Sequence, residues 1–82
     1  MRLDKFLKIS RLIKRRTVAN EACDAGKIVV NGNISRASYS VKPGDVIEIK
    51  IGNNPLKVRV NEVLEHVNKQ DAEQLYEIAC LS

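Results

Sequence analysis

Thr17-Val18-Ala19-Asn20-Glu21-Ala22-Cys23-Asp24-Ala25-Gly26-Lys27-Ile28-Val29-Val30-Asn31-Gly32-Asn33-Ile34 is the stretch on which the fold turns. Up to Ala25 its apolar residues recur at helical spacing. At about 100° per residue, Val18, Ala19, Ala22, Cys23 and Ala25 share an arc of about 160°, with Asn20, Glu21 and Asp24 opposite. Thr17 is placed to cap this helix, because its hydroxyl can accept from an unpaired N–H of the first turn. Gly26 closes it as a residue that tolerates positive φ. From Lys27 the period changes to two. Ile28-Val29-Val30 and Asn33-Ile34 flank Asn31-Gly32, a dipeptide that supplies both positive φ angles of a type I′ turn, so the spacing predicts a hairpin.

Upstream, Leu3, Phe6 and Leu7 form one narrow apolar stripe at helical spacing, and Arg2, Lys5 and Lys8 fall on the opposite face. Continuing that helix would carry Ile9 and Leu12 onto the cationic face, so it is predicted to end near Ile9 or Ser10. Ser10 to Arg16 is then a connector that tucks Leu12 and Ile13 inward and projects Arg11, Lys14, Arg15 and Arg16. Downstream, Val41-Lys42-Pro43-Gly44-Asp45 reads as a second turn, with proline setting φ and glycine next to it as in a type II turn. Val46 to Ile51 places Ile47, Ile49 and Ile51 on one face, Gly52-Asn53-Asn54-Pro55 turns the chain, and Leu56, Val58 and Val60 alternate with Lys57, Arg59 and Asn61. Asp71 is placed to cap a short helix through Leu75, and Tyr76 to Leu81 can add an edge strand. The expected architecture is α+β: two N-terminal helices on a small, mainly antiparallel sheet, with a short C-terminal helix, in a single domain over residues 1–82.

A chain of 82 residues buries only about 60% of the surface it exposes when unfolded, so each large apolar residue matters. Aromatics are 4% of the residues, which disfavours any platform on which bases would stack. No apolar run approaches the length of a membrane span, and Met1-Arg2-Leu3-Asp4-Lys5 lacks the features of a secretory signal. A cytoplasmic protein is expected. Cys23, Cys80 and His66 cannot assemble a four-ligand zinc site, and both cysteines read as reduced, small apolar residues. His66 reads as a solvated surface residue. With no phosphate loop and no Gly-x-Ser-x-Gly, neither catalysis nor a cofactor or metal is expected.

The net charge of +4 hides an asymmetry. Residues 1–36 hold nine basic side chains against three acidic ones, a net of +6, and the remainder nets −2 from five against seven. Such a field turns one part of the molecule toward a polyanion. The basic connector also ends at the start of the second helix, where backbone N–H groups and the dipole favour a phosphate, so Arg15, Arg16 and Thr17 form a coherent anion site. Asp4 is an acid among cations, read as a first-turn carboxylate that orients Arg2 or Arg16, with contact to a hydroxyl of the polyanion as the alternative.

Arg2-Leu3-Asp4 with Leu7, Arg16-Thr17 with Ala19, Gly26, Val30-Asn31-Gly32, Val41, and Gly44-Asp45 with Ile47 make up a pattern over residues 2–50. In order and spacing it resembles the RNA-binding domain named after ribosomal small-subunit protein four, the S-four domain. Two positions depart from that family: Arg15 stands where a serine is usual, and Ala22-Cys23 replaces a bulky pair. Over the whole length, Met1-Arg2-Leu3-Asp4-Lys5-Phe6-Leu7-Lys8 and Ser10-Arg11-Leu12-Ile13-Lys14-Arg15-Arg16-Thr17 are most similar to small bacterial members that act in ribosome-associated quality control, relatives of the small heat-shock ribosome-binding proteins.

The resemblance implies a helix-pair platform on which Arg2, Lys5, Lys8, Arg11, Lys14, Arg15, Arg16 and Thr17 touch structured RNA. It further implies as partners large-subunit ribosomal RNA, the large ribosomal subunit, peptidyl-tRNA and a tailing partner factor; no membrane contact is expected, and a monomer is. The role implied is support of template-free C-terminal tailing of stalled nascent chains. A general ribosomal RNA chaperone or assembly factor, or an RNA-targeting appendage of an RNA-modifying enzyme, would use the same surface. Duplex DNA fits less well, since Asn20, Glu21 and Asp24 are poor groove readers beside phosphates.

Overall fold

The structure, a computed structural model, describes residues 1–52, 55–64, 68 and 70–81, the side chains of Cys80 and Leu81 excepted. Asn53, Asn54 and His66 fall outside it. Helix α1 runs Leu3–Ile9 and α2 Arg16–Asp24. They are followed by β1 (Ile28–Val30), β2 (Asn33–Ile34), β3 (Val46–Ile49), β4 (Leu56–Val60) and β5 (Tyr76–Leu81). All strand pairs are antiparallel, in the order β2-β1-β3-β4-β5.

The α1 stripe behaves as its spacing predicts, with Leu3, Phe6 and Leu7 fully buried. They meet Ile13, Ala19, Ala22 and Cys23 above Ile28, Val30, Ile47, Ile49, Val58 and Val60, all in one apolar cluster. The other face of the sheet sets Glu48 across from Lys57 and pairs Arg59 with Glu77, opposite charges that stay solvated. Asn31-Gly32 forms the expected turn, with φ of 52° and 84° and Val30 opposite Asn33. At the end of α2, the Gly26 N–H donates to Cys23 O and the Lys27 N–H to Ala22 O, each at 3.0 Å. That double bond pattern requires the φ of 73° that glycine supplies.

Four expectations need correction. Thr17 is not the cap of α2: Arg16 is already helical, and the extended boundary residue is Arg15, which makes no side-chain cap bond. With Arg15 in place of a serine, no hydroxyl stands at the boundary, and Thr17 lies inside the first turn. The buried face of α2 is narrower than its apolar arc, since Ala19, Ala22 and Cys23 are buried while Val18 (43% exposed) and Ala25 face solvent. Strand β3 stops at Ile49, leaving Ile51 partly exposed. The C-terminal helix is a single 3-10 turn at Ala72–Leu75, and Asp71 makes no capping bond. Four residues hold too few hydrogen bonds for a helix to continue without packing.

Candidate nucleic-acid interface

The interface begins with how α1 starts. No side chain caps it. Instead the Leu3 N–H donates to Tyr39 O at 2.8 Å and the Asp4 N–H to Ala37 O at 3.3 Å, while the Lys5 N–H donates to Asp4 Oδ1 at 2.8 Å. The segment between β2 and β3 thus satisfies the first orphan donors of α1 and pins Asp4 in place.

Asp4 is 2% exposed. Its carboxylate meets Arg2 Nε at 3.2 Å and Arg16 Nε at 3.3 Å, and accepts from Asn20 Nδ2 at 3.3 Å. Burial alone would raise its pKa. The bonds from Arg16, Asn20 and Arg2 outweigh burial and hold the carboxyl below the ordinary 3.8. Asp4 therefore remains ionised and orients two guanidinium groups, one from the extended residue that precedes α1 and one from α2. Both stay accessible, with Arg2 51% and Arg16 48% exposed. Asn20, assigned by periodicity to the solvent side, is a half-buried member of this cluster. One helical turn after Arg16, it lies on the same face of α2, which was the signal available for it. A shallow depression lined by Asp4, Arg16, Thr17, Asn20 and Glu21 results.

The remaining basic residues arrange differently. Lys8, Arg11, Lys14 and Arg15 are exposed, Lys5 is half-buried, and none of Lys8, Arg11, Lys14 and Arg15 forms an ion pair among the described residues. Arg11 has φ 64°, the left-handed position that ends α1. Its N–H donates to Lys8 O at 3.1 Å, and two residues on, the Ile13 N–H reaches Leu7 O at 3.0 Å. That reversal buries Ile13 and turns Arg11 outward. At the other end of the connector, α2 has no acidic residue in its first turn, so no carboxylate of the helix itself offsets its dipole beside Arg15 and Arg16. Cys23 is buried and free, its thiol pushed up to about 11 by burial first and then by Asp4 and Asp24. Among the described residues no helix is long and apolar enough to cross a membrane.

A cationic helix pair laid on a five-stranded antiparallel sheet defines a class of small modules whose charged surface is carried by helices rather than by the sheet. The chain belongs to the S4 domain family, whose family model matches residues 1–47. It is 53% identical to the RQC P-site tRNA stabilizing factor of Halalkalibacterium halodurans, over 95% of this chain and 89% of that one. It is 51% identical to the protein of the same name from Bacillus subtilis, over 95% and 91%. The trimeric structure of Vibrio cholerae heat shock protein 15 superposes with a TM-score of 0.89 at 29% identity, covering 96% of this chain and 81% of that one.

Proposed function

We propose that this protein is a non-catalytic RNA-binding factor of ribosome-associated quality control that binds peptidyl-tRNA and large-subunit ribosomal RNA. On the large ribosomal subunit it steadies the tRNA and so supports template-free tailing of stalled nascent chains by a partner factor. The observation that carries this reading is the Asp4 cluster: two guanidinium groups ordered on a rigid helix pair, beside an uncapped helix N-terminus. Ordered cations lose less side-chain entropy on meeting phosphates, and an interface poor in aromatics suits backbone and shape recognition. The names of the relatives, RQC P-site tRNA stabilizing factor, support the same assignment. Arg2, Lys5, Lys8, Arg11, Lys14, Arg15, Arg16 and Thr17 form the proposed contact surface, and Asp4 positions it.

Titration of structured RNA against salt tests the reading. Each neutralised phosphate contributes about 0.7 to 0.9 to the slope of log affinity against log salt, so several contacts should give a slope of several units. Arg16→Gln should weaken binding roughly tenfold, as expected for one charge-assisted contact, and should release the protein from large subunits carrying peptidyl-tRNA in gradient sedimentation. A flat titration would reject the electrostatic surface. Sedimentation with ribosomal RNA irrespective of peptidyl-tRNA would favour a general chaperone.

A further inference from the structure

Arg36 carries a charge that no contact described above absorbs. It is exposed, and among the described residues no ion pair or hydrogen bond engages its guanidinium, whereas Arg2 and Arg16 are both tied to Asp4. Its backbone, by contrast, is fixed. Arg36 O accepts from the Tyr39 N–H at 3.0 Å, and the next carbonyl, Ala37 O, accepts from the Asp4 N–H. The turn that carries Arg36 is therefore clamped to the turn of α1 that carries Asp4. Together with Cys23, Asp24, Gly26, Ile34 and Ser35, Arg36 lines a second depression.

Helix α2 links the two depressions. At about 100° per residue, Arg16, Asn20, Cys23 and Asp24 fall within one arc of about 100°. The depression at Asp4, Arg16 and Asn20 and the depression at Arg36 thus succeed one another along one side of α2. Arg16 and Cys23 are seven residues apart, a rise of roughly 10 Å along the axis.

We propose that Arg36 is a second anchoring cation for the RNA backbone, so that one strand runs along this side of α2 from Arg16, past Asn20, to Arg36. The inference rests on the RNA-binding reading above and adds to it a direction and a far end. Phosphate contacts set the register and orientation of a protein on its nucleic acid, and two cations on one rigid frame do so better than one. The Asp24 carboxylate lines the same depression, so the strand passes on the Arg36 side of it.

The test titrates an in vitro transcribed tRNA against salt with wild type, Arg36→Gln, Arg36→Lys, Arg16→Gln and Lys57→Gln. Arg36→Gln should lower affinity roughly three- to tenfold, the range of one exposed to half-desolvated ion contact. It should also lower the salt slope by about 0.7 to 0.9 with an unchanged melting temperature. Arg36→Lys should restore the slope, and Lys57→Gln, on the far face of the sheet, should leave it at the wild-type value. If Arg16→Gln weakens binding while Arg36→Gln keeps the wild-type slope, the strand does not reach Arg36 and this proposal is overturned with the RNA reading intact. An equal loss in Lys57→Gln would mean that net charge and not the Arg36 position matters, which also overturns it. A salt-independent wild type would remove both.

Discussion

At the scale of single residues, Asp4 and Arg16 change what a charge substitution means. Treated as a free surface cation, Arg16 could be reversed to glutamate with a stability change of about 0.5 kcal/mol or less. Its Nε instead lies 3.3 Å from a carboxylate whose side chain is 3% exposed. Arg16→Glu would set a second carboxylate against Asp4, and leaving a buried charge facing a like one costs on the order of 1 to 3 kcal/mol. Arg16→Gln keeps a donor, and for so exposed a partner its cost should stay within about 1 kcal/mol. Urea denaturation of the two variants separates these outcomes: similar midpoints would mean that Asp4 is solvated enough to do without Arg16. The presence of an acid among cations was legible from residue order alone. That it binds Arg2, Arg16 and Asn20 together was not, because Asp4 lies on α1 and Arg16 and Asn20 on α2, and they converge only when α1 packs on α2.

At the scale of elements, turns and caps decide where the chain reverses, and two of them support specific expectations. Arg11 occupies the left-handed position at the end of α1 with φ 64°, where a non-glycine residue costs about 1 kcal/mol or more. Arg11→Gly should therefore stabilise the fold by about 0.5 to 1 kcal/mol while removing one cation from the connector. A lower melting temperature would show instead that the Arg11 side chain packs favourably. Asn31 has two roles, of which its spacing shows only the turn. Its Nδ2 donates to Asp45 Oδ1 at 3.0 Å, and its Oδ1 accepts from the Val46 N–H at 2.9 Å, while Asp45 Oδ2 also accepts from the Tyr39 hydroxyl at 2.8 Å and the Lys42 N–H at 3.0 Å. The hairpin turn is thereby tied to the Lys42–Asp45 turn. Asn31→Gly keeps the permitted φ but deletes both side-chain bonds, and should cost about 1 to 2 kcal/mol. Wild-type stability in that variant would leave Asn31 as a turn former alone.

For the whole molecule, Asp4 and Asp45, the buried carboxylates among the described residues, make stability depend on acid. Burial raises the pKa of Asp45, but the Lys42 N–H, Asn31 and Tyr39 outweigh it, so Asp45, like Asp4, titrates below the ordinary 3.8 in the folded state. The unfolded chain takes up these protons first, so the stabilisation is complete above the unfolded pKa and is lost as pH falls through the folded values. Urea midpoints should hold down to about pH 5 and drop below about pH 4, and Asp45→Asn should flatten that drop. An unchanged acid limb in the variant would assign the loss elsewhere. The local pattern alone determined the α1 stripe, the end of that helix, the Asn31-Gly32 hairpin, the Lys42–Asp45 turn and the β4 alternation, because each depends on sterics or periodicity within a few residues. Tertiary structure alone decided how much of the apolar arc of α2 is buried, since small residues such as Ala19, Ala22, Cys23 and Ala25 bury little area each and leave the helix some freedom to rotate until α1 and the sheet close on it. It also decided that β3 ends at Ile49 and that Ala72–Leu75 makes one turn only. Above all it decided that Asp4, Arg16 and Asn20 meet, because a contact between residues more than ten positions apart is set by how helices pack, and no local spacing encodes that.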